Sequence, residues 1–322
     1  MRYWKNKLKY DPITPLLSLE NKAILYFSKR DLLNEKVDSL ANLNKLPSPL
    51  IILNKQQENG SWKYLGGKKD LRTQEYYNQI ETYRQIGILI EKYGFKKPNP
   101  AIKKAAEFLF SFQTEEGDFR GIYSNQYSPN YSAAIMELLI KAGYSTDTRI
   151  EKGFKWLLSV RQDDGGWAIP IRTHNAKWTE VMKSDKTLQP LKYKPFSHLV
   201  TGVVLIAFAA HPNYNERKEA RRAGYLLASR FFQPDKYPDR RTKEYWTRVT
   251  FPFWFTDIIS SLDSLSHLGF TPDHPQIKLA IEEISNRQLE SGLFDFKLLK
   301  TKDKDLPYWI ALAICRIFKN FY

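Results

Sequence analysis

The sequence predicts an all-α fold built from paired helices. Three observations predict it: a short corner motif that recurs four times, helix-period apolar patterns on both sides of the corners, and no strand-like alternation to compete with them.

The corners come first. Residues 56–62 read QQENGSW, 113–119 read QTEEGDF, 162–167 read QDDGGW and 288–294 read QLESGLF. Each is a glutamine, a few small or acidic residues, a glycine and an aromatic. The adjacent pair Asp163 and Asp164 is a common beginning for a metal or diphosphate site. The sister corners, however, hold Glu-Asn, Glu-Glu and Glu-Ser instead, which equivalent catalytic carboxylate pairs would not tolerate. The two aspartates therefore read as turn formers, with Gly165 and Gly166 taking backbone angles that other residues resist. The anchors Trp62, Phe119 and Trp167 recur about every fifty residues, and the gap to Phe294 is about twice as long. A repeat without its signature is expected near Phe232-Gln233-Pro234.

The helices follow from periodicity. Residues 100–113, 147–162, 213–233 and 273–288 place apolar residues at three- and four-residue spacing, as Ile150, Phe154, Leu157 and Leu158 show. A second set follows the corners: 74–93, 130–142, 197–210, 257–268 and 306–318. Residues 198–210, HLVTGVVLIAFAA, are apolar almost all round, the mark of a buried helix. The amphipathic member of each pair is expected outside and the apolar member inside, with Gly143 and Gly269 as C-caps. Helices at 15–34 and 47–56 bring the total to about twelve, or six hairpins. The organisation expected is one domain over residues 1–322: an N-terminal helical segment to 45, repeats from 46, and insertions at 168–196 and 233–254, too long for ordinary helix corners.

Composition bounds the function. At 42% hydrophobic and 14% aromatic residues, the chain can fill a large core. The first residues, MRYWKNKLKY, lack an apolar signal region, and no apolar run approaches the ~18 residues of a membrane span. A cytoplasmic protein is expected, with peripheral membrane contact left open. Cys315 is alone, which excludes an internal disulfide and a cysteine-cluster zinc site. The five histidines are scattered without an i, i+4 pair, so neither metal nor cofactor is expected. The formal charge of +15 is spread along the chain without a nucleic-acid signature, so no nucleic-acid partner is expected.

The corner pattern resembles the QW repeat of the squalene-cyclase and protein-prenyltransferase superfamily. The segment GDFRGIYSNQYSPNYSAAIMELL (117–139) is similar to the superfamily's GGF segment, and GGWAIP followed later by SHLVTGVVLIAF is a stretched version of it. The N-terminal DPITPLLSLENKAILYFSKRDLL resembles that of bacterial and archaeal single-domain members. The resemblance covers nearly the whole chain and implies an α/α toroid of inner and outer helices. It also implies an isoprenoid ligand, a prenyl chain or diphosphate. Aromatic faces in such a barrel attract carbocations; here Tyr76, Tyr77, Tyr83, Tyr131, Trp254, Tyr308 and Trp309 begin inner helices. His198 follows GGW, where the prenyltransferase pattern also has a histidine, and is a candidate headgroup contact. The chain departs from the family in having no Asp-x-Asp-Asp, no Asp-Asp-x-x-Asp and no Asp-x-Cys around Cys315. Catalytic residues do not carry over by motif.

What remains is positional. Inner helices that all follow a corner run the same way, so their N-termini gather their partial positive charge at one mouth, suited to an anionic headgroup. The two insertions bring basic and aromatic residues there, Arg240 and Arg241 among them; they read as a lid or as a solvated excursion. Asp257 stands at the mouth end of an apolar helix, with Ser261 and Ser264 on its face. It is the candidate catalytic acid, or else an N-cap. Glu81 and Arg84 are a second polar pair on an inner helix, a substrate contact or a buried ion pair. Two functions compete: an isoprenoid cyclase or transferase, and a non-catalytic toroid holding an apolar ligand or a protein partner.

Overall fold

A computed structural model describes residues 3–68, 70–238, 242–299 and 302–322. The described chain is mostly helical. In order come α1 (Ile13–Ser18), α2 (Lys22–Phe27), α3 (Pro47–Leu53), α4 (Gln74–Tyr93), α5 (Pro100–Phe110), α6 (Pro129–Leu139) and α7 (Thr148–Ser159). Two short helices follow, α8 (Pro170–Thr173) and α9 (Trp178–Val181), then α10 (His198–Ala210), α11 (Lys218–Ala228), α12 (Ile258–His267), α13 (Pro275–Asn286) and α14 (Leu306–Phe321). The strand content of the described residues is one parallel pair of two-residue strands, β1 (Arg248–Val249) with β2 (Lys297–Leu298).

The N-terminal helix expected over 15–34 is broken. Asn21 takes an extended backbone and its side chain accepts from the amides of Ala23 and Ile24, so it starts a new helix at Lys22. That helix runs on through a wider turn at Ser28–Leu32. The amphipathic stretch expected from 213 begins at Lys218, because His211 Nδ1 takes the amides of Asn213 and Tyr214 and holds them in a turn.

The apolar helices pack in series. α4 packs against α6, α6 against α10, α10 against α12 and α12 against α14. α2 touches both α14 and α4, so the series returns to its start. Each amphipathic helix lies on the apolar helix before it in the chain: α5 on α4, α7 on α6, α11 on α10, α13 on α12. α1 lies on α14, joining the end of the chain to its beginning. α10 is buried nearly all round, from Val200 to Phe208, as its lack of a polar face requires.

The corners fix this order. In three of them the glutamine and the aromatic form an antiparallel bridge: Gln56 with Trp62, Gln113 with Phe119, Gln288 with Phe294. Each glutamine amide then reaches the next amphipathic helix. Gln56 Nε2 donates to Ala101 O (2.8 Å) in α5, and Gln113 Nε2 donates to Arg149 O (2.8 Å) in α7. Gln288 Nε2 donates to Tyr10 O (2.9 Å) just before α1, while its Oε1 accepts from the amides of Lys9 and Tyr10. The glycines permit the approach. Gly117 has φ +110°, and a Cβ there would lie 2.5 Å from the carbonyl oxygen of Lys152 in α7. The aromatic residue's own amide is held by a hydroxyl of the following apolar helix: Trp62 by Thr82, Phe119 by Ser132, Trp167 by Thr201.

The 162–167 corner is one residue shorter and behaves differently. Gln162 donates to Leu191 O and Lys194 O (2.8 Å each), so its partner is the end of the 168–196 insertion. Asp164 accepts from the amides of Gly166 (3.1 Å) and Phe196 (2.8 Å), tying the turn to the start of α10. Near the missing signature, buried Trp246 from the second insertion donates to Gln233 O at 2.8 Å.

Gln288→Ala leaves the Tyr10 carbonyl and two amides without their partner. It should cost about 1–3 kcal/mol in urea unfolding and raise amide exchange at residues 9 and 10. Trp167 is fully buried and donates to Leu157 O at 2.7 Å. Trp167→Ala should cost about 3–5 kcal/mol, more than any change at Asp163 or Asp164.

Candidate functional site

A cavity of about 490 Å³ opens at the N-terminal ends of α6 and α10. Local capping sets its walls. Ser128 caps α6 by accepting from the amide of Tyr131, with Pro129 in the first turn, and this presents Asn130, Tyr131 and Ala134 to the cavity. Ser197 caps α10 in the same way through Val200, presenting Leu199, Val200 and Val203.

Both insertions complete the wall: Ile169, Arg172 and Trp178 from the first, Asp235, Tyr237 and Trp254 from the second. The first is no solvated excursion. Ile169, Ile171, Thr173 and Met182 are buried, and the Asn125 and Gln126 side chains donate to Asp185 O (2.7 Å) and Lys186 O (2.8 Å). Gln126 also accepts from the amide of Leu188 at 3.0 Å.

The aromatic side chains meet edge to face. Trp178 and Tyr123 are 4.5 Å apart between centroids, Tyr123 and Tyr131 5.1 Å, Tyr131 and Tyr83 6.3 Å, Tyr83 and Trp254 5.2 Å. Edge-to-face contact is the arrangement that the ring quadrupoles favour. Burial, reinforced by Glu137, raises the Tyr83 phenol well above its ordinary value, so it stays protonated.

Two arginines stand on this wall. Arg72 donates to Ile122 O at 2.6 Å with its guanidinium 5.5 Å from the Tyr77 ring, and Arg172 lies 5.7 Å from the Trp178 ring. Asp235 is buried; its carboxylate accepts from Ser197 Oγ (3.0 Å) and from the amides of Leu199 (3.2 Å) and Tyr237 (2.9 Å). Two donors at the start of α10 and one from the second insertion fix this carboxylate as a hydrogen-bond acceptor.

A second cavity of about 440 Å³ adjoins the first, and Tyr83, Tyr131, Trp254 and Phe255 line both. The extended segment 250–256 runs between them. Its Phe251 stacks on Trp309 (5.5 Å, 10°), and its Trp254 lies against Gly87 of α4.

The candidates from sequence fall in several places. Tyr131 and Trp254 stand on the first wall; Arg84 and Trp309 stand on the second. Tyr76 packs on Phe112 and lines neither. Glu81 accepts from Gln85 at 2.5 Å and lies 3.8 Å from half-exposed Arg84, a surface pair rather than a buried one. His198 is buried behind the wall and stacked 4.7 Å from Trp246. Its Nδ1 is 3.1 Å from Asp235 Oδ2, but off the line of a hydrogen bond. Burial, partly offset by Asp235, pushes its pKa down to about 4, so it is neutral at pH 7. Arg240 and Arg241 lie outside the described residues.

Asp257 is the N-cap of α12. Its Oδ1 accepts from Ser260 N (2.8 Å) while Ser260 Oγ accepts from Asp257 N (2.9 Å), a reciprocal capping box. It lines neither cavity. Its Oδ2 is buried without a hydrogen-bond partner, and burial pushes its pKa up to about 7.

Sequence reading missed Tyr123, Asn130 and Arg72 as wall residues, counted Arg172, Trp178, Tyr237 and Asp235 only toward the composition of the insertions, and gave them no individual roles. The Tyr-Ser-Pro-Asn-Tyr run across the start of α6 was the available signal for Asn130. Among the described residues no cluster of three or more His, Cys, Asp or Glu is placed to hold a metal ion. No helix among them is long and apolar enough to cross a membrane.

Comparison with protein-family models finds no match, and neither does comparison with curated proteins. Among solved structures the chain is similar to a protein from Actinoplanes, at 12% identity and TM-score 0.32 over 88% of this chain and 99% of that one. It is also similar to the type II terpene cyclase MstE from Scytonema. The apo form gives 10% identity and TM-score 0.37 over 87% of this chain and 97% of that one. A variant in complex with geranylgeranyl dihydroxybenzoate gives 11% and 0.40 over 87% and 96%.

The raised pKa of Asp257 has a defined sign. Between its ordinary value of 3.8 and about 7 the folded chain binds more protons here than the unfolded chain, so this group's contribution to stability falls as pH rises through that window. Asp257→Asn keeps the cap acceptor and removes the titration. The melting temperature of the variant should fall less than that of the wild type between pH 5 and pH 8. Equal slopes would mean that Asp257 is ionised throughout.

Proposed function

We propose that the chain is a single α/α toroid, with the apolar helices as the inner ring, and that its aromatic cavity takes an isoprenoid: a prenyl chain with an anionic headgroup. The observation that carries this reading is the wall itself. Tyr83, Tyr123, Tyr131, Trp178 and Trp254 form its apolar side, and Arg72 and Arg172 stand on the same wall. At about 490 Å³ the cavity falls in the ~300–1,000 Å³ range of small-molecule sites. The guanidinia and the N-terminal end of α6 would hold the headgroup; the start of α10 is taken by Asp235. Arg240 and Arg241, on the second insertion, would add charge at the same mouth. The protein would act in the cytoplasm, drawing its ligand from solution or from a membrane surface.

On this reading the protein is terpenoid cyclase- or prenyltransferase-like, and the ring faces would stabilise positive charge on the chain. The carboxylate on the wall, Asp235, is held by three donors as an acceptor, a placement suited to facing a cation. Asp257 would be the acid only if the segment before α12 moved it onto the wall. Its capping position favours the second reading, a toroid that holds the chain without turning it over.

Calorimetric titration with prenyl diphosphates and the matching alcohols tests the proposal. Affinity should rise with chain length, and salt should weaken diphosphates more than alcohols. Arg172→Gln should weaken diphosphate binding by about tenfold or more and leave alcohols nearly unchanged. Product analysis of the same mixtures separates the two readings: binding without product is the holding toroid. No binding of any prenyl compound at any length sinks both.

A further inference from the structure

The two adjoining cavities pose a question that the proposed ligand alone does not answer. A lumen bounded by apolar helices would ordinarily be one space, and here it is two. Their common wall is Tyr83, Tyr131, Trp254 and Phe255. The two tyrosines project from regular turns of α4 and α6, whereas Trp254 and Phe255 lie on a segment with neither helix nor strand. Trp254 is the larger of these and reaches across to α4. It fits because residue 87 is glycine: a Cβ there would lie 2.3 Å from its Cη2 atom. The edge of Tyr83 holds its ring at 5.2 Å.

The second cavity is suited to chain rather than headgroup. Ile80, Ile88, Phe251 and Trp309 give it an apolar side. Its charged side chains are engaged within the protein: Lys92 is paired with Asp303, Arg84 lies 3.8 Å from Glu81, and Asp305 accepts from Asn21 at 2.7 Å. An apolar tail entering there would find ring and aliphatic surface without having to separate those pairs.

We propose that the second cavity is the distal end of the same binding path, and that Trp254 is the partition that sets how long a chain the protein accepts. The proposal rests on the isoprenoid reading above. With the indole in place a chain fills the first cavity and stops. Without it the two spaces join, and each further isoprene unit gains burial.

The test is a chain-length series of prenyl alcohols, from geraniol through farnesol and geranylgeraniol to a six-unit alcohol, titrated into wild type and Trp254→Ala. In the wild type, affinity should rise with length and then level. In the variant the levelling point should move out by at least one isoprene unit, and the ratio of affinities for the longest and shortest chains should rise by about tenfold or more. Trp254→Phe, which keeps a ring against Gly87, should retain the wild-type length preference. Should Trp254→Ala fail to fold by circular dichroism, Trp254→Leu carries the same comparison. A folded variant that binds with the wild-type length profile overturns the partition and leaves the isoprenoid reading standing. Wild type that binds neither a prenyl alcohol nor a prenyl diphosphate at any length overturns the isoprenoid reading, and the partition falls with it.

Discussion

The fold depends on one contact, the corner glutamine's amide on a carbonyl of the next amphipathic helix. Gln56, Gln113 and Gln288 each make it, to α5, to α7 and to the residue just before α1. The contact is local at one end and long-range at the other, so it converts a turn into an instruction about which helix comes next. Glycine is required beside it because the same approach brings the turn backbone onto the next helix with no room for a Cβ. The acidic residues between glutamine and glycine vary because they meet mostly solvent and their own turn. The helix order follows from repeating this contact, and its last use, at Gln288, draws residues 9 and 10 back to the end of the chain.

That is why the helical pairing was legible in the sequence. A corner is a short motif whose partners are its own backbone and one neighbouring helix, so its chemistry repeats where its position repeats. α10 was legible for a related reason, since a stretch with no polar face has only one place to go. The break at Asn21 was not, because Pro15 to Asn34 keeps helical periodicity across it and only the capping geometry of Asn21 decides. The site was legible in part. Tyr131 and Trp254 were found as aromatics near the starts of apolar helices. Tyr123, Trp178 and Arg72 lie outside those helices and reach the wall through loops pinned by Asn125 and Gln126 and, for Arg72, by bonds to Ile122 and Ser124. Nothing in their local sequence encodes that pinning. Asp257 shows the opposite limit. Its spacing suited an acid or a cap equally, and the deciding fact was the reciprocal bond with Ser260.

The insertions are therefore part of the architecture. The short 162–167 corner gives its glutamine to the 191–194 backbone, and Asp164 gives its carboxylate to the amide of Phe196. An insertion held in this way at its C-terminal end, and by Asn125 and Gln126 in its middle, becomes a wall, and its arginine and tryptophan become wall residues. The second insertion goes further and sends residues 250–256 between the helices. The interior is then filled on one line and open on either side of it, which is how one helical series comes to hold two cavities.

The two ends of the helices differ in the charge they can offer a ligand. At the N-terminal ends of α6 and α10 the wall is aromatic, with Arg72 and Arg172 on it. At the C-terminal ends of α4, α6, α12 and α14 lies a polar cavity of about 500 Å³. There Lys141 sits between Glu91 (2.5 Å) and Glu137 (2.6 Å), and Arg316 pairs with Asp31 (2.5 Å). Burial works against all of these charges, yet the Lys141 ammonium holds Glu91 ionised, while burial beside Glu91 pushes Glu137 up to about 7. The lysines and arginines also meet the negative ends of the helix dipoles. An apolar chain entering at this end would have to strip water from paired charges and give them nothing in return. At the aromatic end it displaces water from ring faces, which favours binding. The same dipoles that draw cations to one end place helix N-termini at the other, beside the aromatic wall and its two arginines.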